Sequence, residues 1–321
     1  MALLEVQNLK TYYYTLRGYV KAVDGASFKV EKGEAMGLAG ESGCGKTTIA
    51  LSLLRILPPG GKIIDGKIIF EKEDLVKKNE KEMRDRIRWK KISLIFQGAM
   101  NALNPVYKIE DQIVEAILAH EKNVTKREAI DRAKKLFELV GLDPLRISNY
   151  PHEFSGGMRQ RAMIAMALAC NPELLIADEP GTALDVIIQA QILKLLRELK
   201  DKFDLSMILI THDLSIIADT CQTCAIMYGG EIVEYGDVAT LFKKPIHPYT
   251  TGLISAFPNV KSEKSRMLAI PGAPPDLLNP PKGCKFHPRC QYTMKVCREK
   301  EPALLDVGRG HLVACHLVEK A

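Results

Sequence analysis

Three observations predict an α/β fold organised around a phosphate-binding loop. "GESGCGKT", Gly40 to Thr47, fits G-x-x-x-x-G-K-[ST] between a short apolar run, "AMGLAG", and a helical stretch, "TTIALSLLRIL". The runs "ELLIAD" and "LSMILITHD" flank the helical "VIIQAQILKLLRELKDKF", and strand, helix, strand at this spacing implies parallel pairing. After Gly236 the composition shifts: of 17 prolines, ten fall between Pro245 and Pro302, which predicts a separate irregular module.

The elements follow in order. The first thirty-odd residues read as strands, "LLEVQNLKTYYY" and then "KAVDGASFKVEKG", broken at Asp24-Gly25. The helix after the loop runs to Pro58-Pro59. Residues from about 98 to 154 read mainly as helix. "TKREAIDRAKKLFELVG" opens with a capping box, Thr125 to Glu128, presents Ile130, Ala133, Leu136, Phe137 and Val140 on one face, and stops at Gly141. "VIIQAQILKLLRELKDKF" presents Ile188, Ile192, Leu195, Leu196, Leu199 and Phe203. "AIMYGGEIVEYG" reads as a hairpin turning at Gly229-Gly230.

The 321 residues suffice for one large α/β domain with an appendage. A net charge of +6, spread along the chain without single-sign runs, does not indicate a nucleic-acid surface. No apolar run is long enough to cross a bilayer, and "MALLEVQNLK" lacks the basic start and apolar core of a signal peptide. The expected compartment is the cytosol, where structural disulfides are rare.

The loop carries concrete chemistry. Glycines let successive N–H groups turn around a phosphate, and the helix start adds its positive dipole end. Lys46 reaches the β- and γ-phosphates and the Thr47 hydroxyl ligates Mg²⁺. The binding set is Gly40, Glu41, Ser42, Gly43, Cys44, Gly45, Lys46, Thr47 and Thr48, with Cys44 a small filler at a position the motif leaves open. "LLIADE" sets Asp178 and Glu179 at the C-terminal end of a strand, where open α/β sheets present ligand-binding groups. Asp178 suits Mg²⁺, and Glu179 suits the orientation and polarisation of a water. A lone "DE" after a strand would read as a solvated turn, but a phosphate loop lies upstream. His212, in "LITHD", leaves the next strand within reach of a γ-phosphate, although such a histidine alone is more often structural. In "HEFSGGMRQRAMIAMALA", Ser155 caps a helix from about Met158 to Ala169, and Gly156-Gly157 exposes N–H groups before it. This is a second anion-binding helix start in a chain that already has one.

The order of these pieces resembles the nucleotide-binding subunits of ABC transporters across roughly the first 235 residues. The matching stretches are "GESGCGKT" (Walker A), Gln97 in "LIFQ" (Q-loop), "FSGGM" (signature), "LLIAD" with Glu179 (Walker B and catalytic glutamate), "ALD" at 183–185 (D-loop) and His212 (switch histidine). The resemblance implies a P-loop NTPase of the ABC type. It implies that Glu179, His212, Lys46 and Gln97 are catalytic, with Mg²⁺ held by Thr47, Gln97 and Asp178. It also implies that Ser155, Gly156, Gly157 and Asp185 touch the ATP of a partner protomer, which would explain the second anion site. An aromatic is implied against adenine; Tyr13 matches best, with Tyr12, Tyr14 and Tyr19 as rivals. The signature departs from the family at Phe154 and Met158, where leucine and glutamine are usual. Gly181 stands where threonine is usual.

"QGAMNALNPV", "ALDVIIQAQIL", "HPYTTGL", "IPGAPPDL" and the cysteine-bearing tail resemble the oligopeptide/dipeptide importer branch over nearly the whole chain. That implies a domain at 1–235 with a helical subdomain at about 98–170, followed by an extension at 236–321. It implies a heterodimer with a paralogous ATPase, docking on two membrane permeases, an extracytoplasmic binding protein, and a place on the cytoplasmic face of the membrane. Members of this branch also import oligosaccharides, so the cargo stays open. A soluble ABC ATPase not coupled to transport is the rival class; such proteins usually carry a coiled-coil insertion or a tandem cassette, which this chain lacks.

Four of eight cysteines, Cys284, Cys290, Cys297 and Cys315, lie in the tail with spacing C-x5-C-x6-C-x17-C. A disulfide is disfavoured by compartment. The spacing has neither the close pairs of zinc sites nor the tight run of ferredoxins, so it leaves zinc and an iron–sulfur cluster open, and His287, His311 or His316 can replace one sulfur. The family resemblance implies a 4Fe–4S cluster on the four cysteines, zinc being the lesser alternative. Cys170, Cys221 and Cys224 read as buried small residues.

Overall fold

The computed structural model describes residues 2–98, 102–256 and 270–318. Residues 99–101 of "QGAMNALNPV" and residues 257–269 and 319–321 of the extension lie outside the described residues. The chain divides into two units, 1–77 with 209–321, and 78–208.

In the first unit, β1 (Ala2–Thr15) pairs antiparallel with β2 (Gly18–Glu31), for example Leu4 with Val30 and Tyr14 with Tyr19. Then come β3 (Ala35–Ala39) and α1 (Lys46–Leu54). The five residues of β3 are all buried, as a strand covered on both faces requires. Helix α1 ends at Leu54, short of the prolines, because Arg55 takes φ 52 and returns its N–H to Leu51 and Ser52. Strand β4 (Gly61–Phe70) adds to the free edge of β1 and β5 (Glu73–Asp74) follows, giving the order β2-β1-β4-β5.

In the second unit, the short α2 (Glu80–Glu82) precedes β6 (Ile92–Ile95). Next come α3 (Ile109–His120), α4 (Lys126–Leu139) and α5 (Gly156–Ala167). The Thr125–Glu128 capping box forms as expected. On α4, Ala133, Leu136 and Phe137 are buried, joined by Ala129, while Ile130 is half-buried. Strand β7 (Leu174–Asp178) pairs parallel with β6, and α6 (Val186–Phe203) leads into β8 (Ser206–Ile210). Of the face expected on α6, Ile192, Leu195, Leu196 and Leu199 are buried, but Ile188 is half-buried and Phe203 is exposed. The period places both residues on the stripe; they sit at the helix ends, where the neighbouring cover stops.

Back in the first unit, α7 (Leu214–Thr220) is followed by β9 (Thr223–Tyr228) and β10 (Glu231–Asp237), a hairpin turning at Gly229-Gly230 as expected. Strand β9 pairs parallel with β3, Met36 beside Thr223 and Ala39 beside Ile226. Two helices, α8 (Val238–Lys243) and α9 (Pro248–Ser255), precede the proline-rich stretch. Beyond it lie α10 (Lys295–Glu299), β11 (Leu305–Asp306) and β12 (Leu312–Val313), and β12 pairs with β10. A buried carboxylate secures this region. Glu234 of β10 accepts the N–H groups of Ile246 and His247 at 2.9 and 3.0 Å and lies 2.7 Å from His311 Nε2. Among the described residues, no helix is long and apolar enough to cross a membrane.

Candidate functional site

The phosphate loop joins β3 to α1 in the first unit. Gly40 and Gly45 hold φ 151 and 111, and a Cβ at either would stand 2.1 Å from a carbonyl oxygen, Met227 O or Ala22 O. No L side chain fits there, so these glycines are dictated by close backbone approach as well as by torsion. Gly45 is also the residue before the first turn of α1, whose leading N–H groups have no partner within the helix. The Lys46 ammonium is buried and donates to Gly40 O at 2.8 Å and Glu41 O at 3.0 Å. Thr47 is exposed at the helix start. Cys44 is buried and its thiol is pushed up by that burial, so it is an inert filler.

Tyr13 lies half-buried on β1 with its hydroxyl 3.3 Å from Thr48 Oγ1 of α1. Its rivals are turned to other tasks. Tyr12 donates to Asp24 at 2.6 Å, and Tyr14 and Tyr19 pack edge to face, 5.5 Å apart, both exposed. His212 follows β8 and is exposed; the preceding Thr211 donates its N–H to Leu38 O of β3 at 3.3 Å. The turn bearing His212 therefore leaves the same end of the sheet as the phosphate loop.

In the second unit, parallel pairing of β6 and β7 brings Gln97 beside the "DE" pair. Gln97 Nε2 donates to Glu179 Oε2 at 2.9 Å, and Thr182 Oγ1 donates to the same oxygen at 2.8 Å. Asp178 is 2% exposed at the end of β7. Glu179 takes φ 45, a conformation costing a non-glycine residue about 1 kcal/mol or more, which redirects its carboxylate away from the strand. Ser155 caps α5, its Oγ accepting the Met158 N–H at 3.4 Å, and Asp185 caps α6, accepting from Ile188 N–H at 2.9 Å. The helix begins at Gly156, two residues before the predicted start, because the N-cap glycines join it. Phe154 is buried edge-to-face against Phe137, with Arg146 over its ring at 5.2 Å. The signature departure at that position thus anchors the turn into the helical unit.

Cys284, Cys290, Cys297 and Cys315 line one small cavity of the first unit with His247, Phe286, His287 and His316. None is in a disulfide. Among the described residues no three or more His, Cys, Asp or Glu side chains converge closely enough for a metal ion. Burial, then the neighbouring cysteines, push the Cys284 thiol up to about 12, and burial raises Cys290 and Cys315. His311 does not line the cavity, being held by Glu234; His287 and His316 line it with one ring nitrogen each on a backbone oxygen, Cys284 O and Lys300 O. Cys170, Cys221 and Cys224 are buried, as expected.

Sequence reasoning did not find Thr182, nor Tyr249 and Arg289, which reach Glu41 of the phosphate loop. "HPYT" drew notice as a stretch, but nothing in it signals a contact some two hundred residues away.

The family model described as ABC transporter matches residues 23–182, and that for the oligopeptide/dipeptide transporter C-terminal region matches residues 233–297. The chain is 48% identical to the oligopeptide transport ATP-binding protein OppD of Bacillus subtilis, over 98% of this chain and 89% of that one. It is 41% identical to the dipeptide transport ATP-binding protein DppD of Caldanaerobacter subterraneus, over 99% and 98%. The chain belongs to the oligopeptide/dipeptide family of ABC transporter ATP-binding subunits. It is an ATPase of the ABC type. The dimeric, ADP- and Pi-bound cassette MJ0796 shares the fold, with a TM-score of 0.65, 23% identity and coverage of 73% of this chain and 98% of that one. The cassette cbiO1 of Clostridium perfringens, part of the complex cbiONQ, has a TM-score of 0.64 at 25% identity, covering 76% and 91%.

Proposed function

We propose that this ABC ATPase powers an importer of di- or oligopeptides from the cytoplasmic face of the membrane. The observation that carries the reading is the whole-length likeness to peptide-transport subunits, C-terminal region included. Residues 1–235 act as the nucleotide-binding domain, with the helical subdomain at about 98–170, and 236–321 as the branch-specific extension. The loop Gly40–Thr47 cradles the phosphates with Thr48 behind it, Tyr13 meets the adenine, and Thr47, Gln97 and Asp178 hold Mg²⁺. Glu179 orients the attacking water and His212 senses the γ-phosphate. Ser155, Gly156, Gly157 and Asp185 close over the nucleotide of a paralogous ATPase, and exposed Val186 and Ile187 beside Asp185 suit such an apposed surface.

Two permease subunits and an extracytoplasmic binding protein complete the assembly. A groove of about 580 Å³ in the helical unit, lined by Trp89, Tyr107, Gln112, Glu115 and His120, supports permease docking there. Cys284, Cys290, Cys297 and Cys315 hold a 4Fe–4S cluster, supported by their common cavity and by the soft donor set. Purifying the complex from native membranes tests the assembly: one copy each of this chain and a paralogue on two permeases is expected. Two copies of this chain with no second ATPase would contradict it.

A further inference from the structure

The segment from Cys284 to Cys290 carries two basic residues, Lys285 and Arg289, and both turn away from the cysteine cavity into the ATPase core. Arg289 grips the Glu41 carboxylate as a fork, Nη1 to Oε2 at 2.6 Å and Nη2 to Oε1 at 2.9 Å. Its remaining donors go to Pro271 O at 2.8 Å, Tyr228 Oη at 3.3 Å and Ile270 O at 3.5 Å, and its side chain is 5% exposed. Tyr249 of α9 takes the Glu41 N–H on its hydroxyl at 2.9 Å. Tyr228, Tyr249 and Phe286 pack on one another with ring centroids 4.6 to 5.4 Å apart, backing this grip with a buried aromatic wall.

Lys285 works at the other side of the loop. Its ammonium pairs with Asp24 at 3.1 Å and Glu231 at 2.8 Å, and its side chain is 2% exposed. Glu231 follows Gly230, which donates to Cys44 O inside the phosphate loop at 3.0 Å and accepts from Asp24 N–H at 2.8 Å. The loop is therefore held at Glu41 by Arg289 and Tyr249, and near Cys44 through the turn that Lys285 secures. Glu41 O in turn receives the Lys46 ammonium. A shift of Glu41 moves the carbonyl that steers Lys46, the residue that meets the phosphates.

We propose that Arg289, through Glu41, is a positioning residue for the phosphate-binding loop, so that the C-terminal extension sets the affinity of this ATPase for nucleotide. The inference rests on the reading of Gly40–Thr47 as the ATP site. A bidentate pair with one member almost fully buried is strongly coupled, because removing one partner strands the other.

The test is Mg²⁺-ATP affinity of the full-length chain, with melting temperature measured alongside. Arg289→Gln and Glu41→Gln are each expected to raise the Kd about fivefold, and the double variant to weaken binding no further than the single ones. Arg289→Lys, which keeps the charge and loses the fork, should fall between. In the assembled ATPase the KM of Arg289→Gln should rise while its kcat stays near wild type. Arg132→Gln, which breaks the Arg132–Glu121 pair in the other unit, should lower the melting temperature and leave ATP affinity alone. Unchanged affinity in folded Arg289→Gln or Glu41→Gln overturns the proposal, as do additive effects in the double variant. Lys46→Ala separates the two readings: if it binds ATP normally, the phosphate-loop assignment itself fails. If Arg289→Gln does not accumulate, Glu41→Gln carries the same measurement.

Discussion

Glu179 is a residue whose chemistry depends on a torsion. Its φ of 45 swings the carboxylate off the strand line, where Gln97 and Thr182 both donate to Oε2. Both donors bind one oxygen, which fixes the carboxylate in orientation, as the role proposed for it as a base requires. Glu179→Gln keeps size and shape and removes the negative charge. Turnover is expected to fall by about 10² or more, while ATP still binds and the nucleotide-bound dimer becomes long-lived, seen as an ATP-dependent shift in size-exclusion mass. Normal hydrolysis by this variant would remove Glu179 from the role of base. The residue types of this site were legible in the sequence because phosphate loops impose them: glycines where a Cβ would meet a carbonyl, a lysine, a threonine and strand-end carboxylates. What was not legible is which neighbour fixes each group. Thr182 and Arg289 have no motif; their roles exist only once the backbone has brought them near Glu179 and Glu41.

At the scale of elements, amphipathic spacing gave reliable helices but blurred ends. The α4 capping box could be read because both halves of it are local. The end of α1 could not, because Arg55 enters the left-handed region without a glycine to announce it. Helix α3 ends on His120, whose Nδ1 is buried without a hydrogen-bond partner and whose ring lies 5.9 Å from Trp89, the chain's single tryptophan. Burial, then the nearby Lys90, hold this imidazole below the ordinary histidine range, with Asp85 and Glu121 opposing. A depressed folded value means that the unfolded chain takes up a proton which the folded chain refuses. Stability at this corner is therefore complete above about pH 6.5 and falls as the pH drops below it. Urea unfolding followed by Trp89 fluorescence should lose midpoint between pH 7.5 and 5.5 in wild type, and lose less in His120→Gln. Equal losses in both proteins would assign the acid sensitivity to other groups.

At the scale of the whole molecule, the linear reading placed the ATPase motifs and set the cysteine tail apart. The tail's packing was beyond it, because the ion pairs that fasten it among the described residues join positions far apart in the chain. Glu234 with His311, Lys285 with Asp24 and Arg289 with Glu41 tie the extension to the strands and loop that carry nucleotide chemistry. The extension also gathers the four cysteines around one cavity. Anaerobically purified protein is expected to hold about four iron and four acid-labile sulfide per chain, and to lose both in Cys290→Ser. Stoichiometric zinc without iron would overturn the cluster. The proposed coupling of this ATPase to peptide import joins these parts into one machine. Its most direct test is ATP turnover of the reconstituted complex with its binding protein, presented empty, peptide-loaded or oligosaccharide-loaded. Only the peptide-loaded binding protein is expected to raise turnover, and Glu179→Gln is expected to abolish the rise. Stimulation by oligosaccharide alone, or turnover indifferent to the binding protein, would contradict it.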